Sequence, residues 1–313
     1  MGGRRSIRVA FLGNDEWSVP SLGSLHGSPH DVVLVVTRTP RPSRRGSDVV
    51  PTPVAATAAR LGLPLAEVDT VIRGEGLDWL AASRPDVLAV VAYGEILPEH
   101  VLSLPTIAPV NLHFSLLPRL RGASPVQTAL LHGQRVTGVS TIVMDAGVDT
   151  GPILERVEDR IRPEDDAGSL GGRLAEVGGR VLVSSIDALA DGSARPVPQD
   201  DALATFAPKL TAEDRTIDWT APAPTIVNLV RALSPSPAAT TTFRGEPLKV
   251  FRAATAGGGG EPGSIGAVDA DGVVVAAGEG SVRLREVAPP GRKRMSGGSF
   301  VNGFRPEPGE RLG

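Results

Sequence analysis

Asp86-Val87-Leu88-Ala89-Val90-Val91 decides the fold class, because after its first residue it carries no polar side chain on either face. A strand that is apolar on both faces is buried on both, which is the condition of a parallel sheet covered by helices and not of a half-wet antiparallel one. Similar runs lie at 7–12 and 32–37, and helix-like segments stand at 19–26, 54–61 and 78–83. Strand and helix alternate, and that alternation predicts an α/β domain with a mostly parallel sheet and helices on both faces. Further strands are expected at 110–113, 139–144 and 153–157, and a helix over 169–189 stops before Gly192, a residue suited to a C-cap.

Residues 192–211 carry prolines and polar residues without a sustained period and read as a linker. The predicted domains are therefore 1–208 and 209–313, a division that suits a chain of 313 residues. Beyond the boundary come a helix at 224–233 and short β-like runs at 239–243, 248–253, 272–276 and 281–287, with four glycines at 257–260 between two of them. Short strands punctuated by glycine and proline point to a small barrel or sandwich.

At 41% hydrophobic residues the chain has enough apolar side chain for a real core, which excludes disorder and fibre. It has no cysteine, so disulfides, thiolate nucleophiles and cysteine-ligated metals are ruled out, and chemistry must come from nitrogen and oxygen side chains. His26, His30, His100 and His132 show no ligand spacing and read as surface or helix-end residues, so no metal is expected. A net charge of −3 gives no global field for nucleic acid, although the part from Lys209 onward carries 13 basic against 11 acidic residues. No run approaches the ~18 apolar residues of a membrane span and no signal-peptide core opens the chain, so a soluble, cytoplasmic protein is expected.

Asn111 and His113 stand two apart at the end of a predicted strand, so both side chains face the same way. Carboxyl ends of parallel strands are where open α/β sheets bind ligands. There an amide N–H beside an imidazole can stabilise a developing oxyanion and move a proton. Asp145-Ala146-Gly147-Val148-Asp149-Thr150-Gly151 forms a loop that could bring Asp149 against His113 and fix its ring. Taken singly, Asn-x-His also fits a histidine satisfied within its own fold, and the loop fits an ordinary Asp-Gly turn.

Taken together, these pieces carry a resemblance. Ala92-Tyr93-Gly94-Glu95-Ile96-Leu97-Pro98, Asn111-Leu112-His113-Phe114-Ser115-Leu116-Leu117-Pro118, Arg121-Gly122-Ala123-Ser124-Pro125-Val126-Gln127 and Asp149-Thr150-Gly151 resemble the methionyl-tRNA formyltransferases, within the folate-dependent formyltransferases. The likeness continues at 204–210, 217–219 and 291–296. It implies a Rossmann-like catalytic domain and a C-terminal barrel resembling an OB fold. The implied reaction is formyl transfer from 10-formyltetrahydrofolate to the α-amine of initiator methionyl-tRNA, with Asn111, His113 and Asp149 catalytic. The implied folate site takes Tyr93, Gly94, Glu95, Ile96, Leu97, Ser115, Leu116, Leu117, Pro118, Asp145 and Gly147, and the chain is expected to act as a monomer. An amino sugar nucleotide or other small amine as acceptor, or water in a 10-formyltetrahydrofolate hydrolase, keeps the same catalytic motif.

The loop with Arg38, Arg41, Arg44 and Arg45 corresponds to the one that enters the tRNA acceptor end in the family, and Arg292, Lys293 and Arg294 offer a second phosphate-binding patch. The chain departs from the family at Gly13-Asn14-Asp15-Glu16-Trp17, where Gly-Thr-Pro-Glu-Phe is commoner, and at Ser47-Asp48, which replaces a commonly basic pair. A nicotinamide oxidoreductase is disfavoured because Gly13 lacks the companions of a Gly-x-Gly-x-x-Gly cradle.

Overall fold

The computed structural model describes residues 6–40 and 50–313. Two compact units divide them: the described residues of Met1–Pro125, Val136–Arg160 and Gly171–Pro208 form the first, and Val126–Arg135, Ile161–Leu170 and Lys209–Gly313 the second.

In chain order the elements up to residue 190 are β1 (Arg8–Gly13), α1 (Val19–His26), β2 (Asp31–Arg38), α2 (Pro53–Leu61), β3 (Leu65–Val68), α3 (Gly74–Ala82), β4 (Val87–Val91), α4 (Glu99–Leu102), β5 (Ala108–His113), α5 (Pro125–Leu131), β6 (Val136–Val143), β7 (Ile153–Arg160) and α6 (Ala167–Ala190). The strands form one sheet in the order β3-β2-β1-β4-β5-β6-β7. β1 to β5 run parallel, and β6 is antiparallel to both β5 and β7. All five residues of β4 are buried, as an apolar strand at the centre of a covered sheet must be. Strand order reverses between β1 and β4, so the crevice at their carboxyl ends is the natural ligand position.

Glycine in α6 explains how β5 is backed. A Cβ on Gly178 would lie 2.6 Å from Leu112 Cδ2, and one on Gly171 would lie 2.2 Å from Trp17 Cζ2. Each glycine costs a helix about 1 kcal/mol relative to alanine, and here it lets the helix approach that closely. Leu112 points toward α6 while Asn111 and His113, its chain neighbours, point the other way.

The second unit adds α7 (Ala223–Leu233), β8 (Ala239–Phe243), β9 (Glu246–Ala256), β10 (Ile265–Asp269), β11 (Gly272–Ala276), β12 (Ser281–Ala288), β13 (Met295–Ser296) and α8 (Gly297–Phe304). Its antiparallel sheet runs β10-β11-β12-β9-β8, with β13 beside β12. The core gathers Trp219, Ile226, Val230, Leu248, Val250, Val275, Leu284 and Phe300. The two edge strands are joined by the last residues of the chain. Arg311 bridges Ser264 and Leu312 bridges Phe243, with Leu312 N–H on the Gly263 carbonyl at 2.8 Å and Gly313 N–H on the Thr242 carbonyl at 3.1 Å. The tail is thus the stave that closes the sheet into a barrel.

Two sequence expectations are corrected. Residues 192–207 are not a free linker: Val197 bridges Ile153, Phe206 bridges Arg121, and Ala207 is fully buried. These partners lie far away in the chain, so no local period encodes them. His30, expected near the surface, is buried with its Nε2 3.2 Å from Asp187 Oδ1 on α6, a carboxylate that makes burial of the ring tolerable. No helix among the described residues is long and apolar enough to cross a membrane.

Candidate active site

Period-2 geometry in β5 delivers Asn111 and His113 to one face at its carboxyl end, and the loop after β6 brings Asp149 to meet them. Asn111 Nδ2 donates to Asp149 Oδ1 at 3.3 Å, and His113 Nδ1 lies 3.5 Å from Asp149 Oδ2. The Gly122 N–H donates to the same Oδ2 at 2.8 Å. The other ring nitrogen, His113 Nε2, lies 2.8 Å from the Leu120 carbonyl oxygen. A carbonyl only accepts, so Nε2 carries a hydrogen and the ring meets the site through Nδ1. At 3.5 Å that nitrogen is too far from Asp149 for a tight N–H···O bond, which leaves it able to turn to a substrate. His113 is only 5% exposed, so this chemistry is sheltered from bulk water.

Asp149 adopts φ +56°, in the left-handed region, which costs a non-glycine residue roughly 1–2 kcal/mol. Gly151 follows because a Cβ there would sit 1.8 Å from the Val143 carbonyl oxygen. Asp145 shapes the loop from within, its Oδ1 accepting from Gly147 N–H at 3.0 Å and from Thr150 Oγ1 at 2.6 Å.

Of the segments expected to hold the pterin-type ligand, 93–97 and 115–118 follow the carboxyl ends of β4 and β5, and 145–147 follows β6 in the loop that carries Asp149. After β4 the chain turns at Ala92 (φ +45°) and Gly94 (φ +77°). Tyr93 and Leu97 put their side chains into the core, so what they offer a ligand is main chain. Burial pushes the Tyr93 phenol well above the usual tyrosine range, with Glu95 adding to the rise. The Glu95 carboxylate accepts from Thr70 Oγ1 at 2.5 Å and Val71 N–H at 3.2 Å, which ties the turn to the loop after β3. Ile96 is 76% exposed and Val148 54%, large apolar side chains on two of the predicted folate segments. Ser115 Oγ donates to the Arg119 carbonyl at 2.6 Å, closing the turn that carries half-buried Leu116 and buried Leu117 and Pro118. Apolar faces beside main-chain turns are what a flat heteroaromatic ring requires.

Arg41, Arg44 and Arg45 lie outside the described residues. Arg38, at the end of β2, donates from Nη2 to the Gly94 carbonyl at 2.8 Å. In the second unit Arg292, Lys293 and Arg294 are exposed after β12, and Arg294 is paired with Glu286 and stacked over the Phe251 ring at 4.9 Å. Among the described residues no three His, Asp or Glu side chains are grouped to hold a metal ion.

Residues 7–186 match the formyl transferase family and residues 209–305 the formyl transferase C-terminal domain. A methionyl-tRNA formyltransferase of Acidithiobacillus ferrooxidans is 44% identical over 308 residues, covering 98% of both chains. One of Geobacter sulfurreducens is 40% identical over 98% of this chain and 97% of its own. The chain belongs to the methionyl-tRNA formyltransferase family. Among solved structures, HypX from Aquifex aeolicus in complex with tetrahydrofolic acid superposes with TM-score 0.64 at 17% identity, over 96% of this chain and 48% of HypX, so the chain spans about half of that protein. An N-formyltransferase from Helicobacter canadensis, in complex with folinic acid and dTDP-3-aminofucose, gives 0.65 at 13% identity over 89% and 98%. At such identities the likeness is one of fold.

Sequence reasoning on this formyltransferase missed Asn14, Arg121 and Gln199. Asn14 stands where the family commonly has threonine. Its Oδ1 accepts from Thr37 Oγ1 at 3.0 Å and Arg38 N–H at 2.8 Å, and its Nδ2 donates to the Tyr93 carbonyl, so one amide knots the ends of β1, β2 and β4. Its place directly after β1, at the switch point, was the available signal.

Proposed function

We propose that this chain transfers the formyl group of 10-formyltetrahydrofolate to the α-amino group of initiator methionyl-tRNA, giving N-formylmethionyl-tRNA for translation initiation. The convergence of Asn111 and His113 on Asp149 at the carboxyl end of β5 carries the reading, together with relatives at 39–44% identity along nearly the whole chain. The donor is of folate type, with the exposed Ile96 and Val148 packing its ring system and the turns at 93–97, 115–118 and 145–147 supplying main-chain polar groups.

In the proposed reaction the neutral amine attacks the formyl carbon, and a C–N bond forms while the carbonyl oxygen takes up the electron pair. Asn111 Nδ2 has two hydrogens; one is held by Asp149 and the second is free for that oxygen. His113 is doubly protonated in this proposed step, with its Nε2 hydrogen on the Leu120 carbonyl and its Nδ1 hydrogen on the oxyanion. Collapse breaks the bond from the formyl carbon to the folate nitrogen, and the proton lost by the amine reaches that nitrogen through Asp149 and His113.

Residues 1–208 make the catalytic domain in this proposal, and the barrel of 209–313 contacts tRNA through Arg292, Lys293 and Arg294. Arg41, Arg44 and Arg45 contact the acceptor end. One chain is the proposed working unit, because every side chain of the described site comes from the first unit alone. The proposed reaction places the protein in the cytoplasm, where initiation occurs.

The test is incubation with 10-formyltetrahydrofolate and, separately, initiator methionyl-tRNA, elongator methionyl-tRNA, an amino sugar nucleotide or buffer, following tetrahydrofolate and labelled formyl. Formylation of the initiator alone is expected. Tetrahydrofolate formed with the sugar nucleotide or with buffer, and not with tRNA, would move the protein to another acceptor or to a hydrolase.

A further inference from the structure

Gln199 lies in the stretch that reads as a linker, yet its side-chain amide is engaged on both ends, by the loop of Asp149 and by Arg121. Its Nε2 donates to the Asp149 carbonyl at 2.8 Å and to the Gly151 carbonyl at 2.7 Å. Its Oε1 accepts from Arg121 Nε at 3.1 Å and Nη2 at 2.8 Å. The amide orientation is dictated by its partners, because a flipped amide would set its NH2 against the guanidinium and its oxygen against two carbonyls. Arg121 is 5% exposed, and its Nη2 reaches Asp201 Oδ1 at 2.8 Å. Its backbone pairs on both sides with the same stretch, N–H to the Thr205 carbonyl at 2.8 Å and carbonyl from Ala207 N–H at 2.8 Å.

Asp149 is therefore gripped from two directions. Gly122, next to Arg121, holds its carboxylate, and Gln199 holds its carbonyl. The grip acts on a residue at φ +56°, a conformation that relaxes toward ordinary backbone once its support is removed. Such relaxation would swing the carboxylate away from Asn111 and His113.

We infer that Gln199 and Arg121 are positioning residues, a clamp by which the stretch 197–207 sets the place of the Asp149 carboxylate and so the rate of the chemical step. The inference rests on the proposed role of Asp149. It assigns catalytic consequence to a segment outside the match to the formyl transferase model at 7–186. Gln199 is half-buried and its amide is taken up by Arg121, Asp149 and Gly151, so it is argued to serve geometry without touching the reactants.

The experiment is a double-mutant cycle on the full chain with saturating donor and methionyl-tRNA, each variant checked for a folded state by circular dichroism and thermal unfolding. Gln199→Leu should lower kcat roughly 10–100-fold, the scale of a misplacement of about 1 Å, with both KM values within about twofold. In the Asp149→Asn background the same substitution should change kcat by less than about twofold, because coupled residues are not additive. Gln199→Glu keeps the partner of Arg121 while facing two carbonyls with an oxygen, and it should behave like Gln199→Leu even where the leucine variant folds poorly. Unchanged kcat in a folded Gln199 variant, an equal loss in both backgrounds, or a rise in KM alone overturns the clamp. Full activity of Asp149→Asn by itself refutes the role of Asp149 and the inference with it.

Discussion

Replacing Asn111 separates two functions of one amide. Asn111→Ala removes the N–H aimed at the oxyanion, and loss of one such donor costs about 10²–10³ in kcat, or roughly 2.7–4 kcal/mol. Asn111→Asp adds a charge instead. The Nδ2 it replaces lies 3.3 Å from Asp149 Oδ1. Two unit negative charges at that separation repel by about 5 kcal/mol at an effective dielectric of ~20. A proton taken up between the two carboxyls relieves the repulsion, but it is held there and is not offered to the substrate. At pH 8 the Asp variant should therefore be no better than the Ala variant, and lowering the pH to 6 should not lift it above the Ala variant. Single-turnover formyl transfer with enzyme in excess reads the chemical step without product release. An Ala variant within about threefold of wild type, or an Asp variant that outperforms it at pH 8, refutes the reasoning.

Tyr93 is the single tyrosine of the chain, so ultraviolet titration reads it alone. Burial raises its pKa, so no phenolate band should appear near pH 10 until the protein unfolds, and its contribution to stability, complete below pH ~10, should be lost as pH rises further. Trp219→Phe removes the buried bond from Nε1 to Thr241 Oγ1 at 3.0 Å and should cost about 1–3 kcal/mol, seen as a lower urea midpoint of the second unit with the slope unchanged. If charge in the barrel engages phosphate, Arg292→Ala and Lys293→Ala should each raise KM for tRNA and lower its salt slope by about 1. Arg294→Ala should do so less, because its guanidinium is already paired with Glu286; equal effects of all three would remove the distinction.

The apolar strands β1, β2 and β4 were legible because burial on both faces leaves no alternative composition. β3 escaped notice since a four-residue strand at the sheet edge, Leu65-Ala66-Glu67-Val68, is too short to show a period. The reversed direction of β6 was equally hidden, because an apolar run carries no sign of which way it pairs. Asn111 and His113 were legible through their spacing, and Asp149 only through its motif, since its left-handed backbone depends on contacts from outside the loop. Gln199 was illegible for the same physical reason: it acts 50 residues from the carbonyl it holds. Arg121 sat inside a recognised motif, yet its partners at 199 and 201 could not be read from it.

The closing stave of the barrel has a consequence for solution behaviour. Unpaired strand edges invite pairing with other chains, and a closed barrel presents none. Here closure rests on residues 311–313, so a variant lacking them uncovers the margins of β8 and β10 at once and bares the pocket that buried Leu312 fills. Trimmed protein should therefore be lost by self-association before it is lost by unfolding.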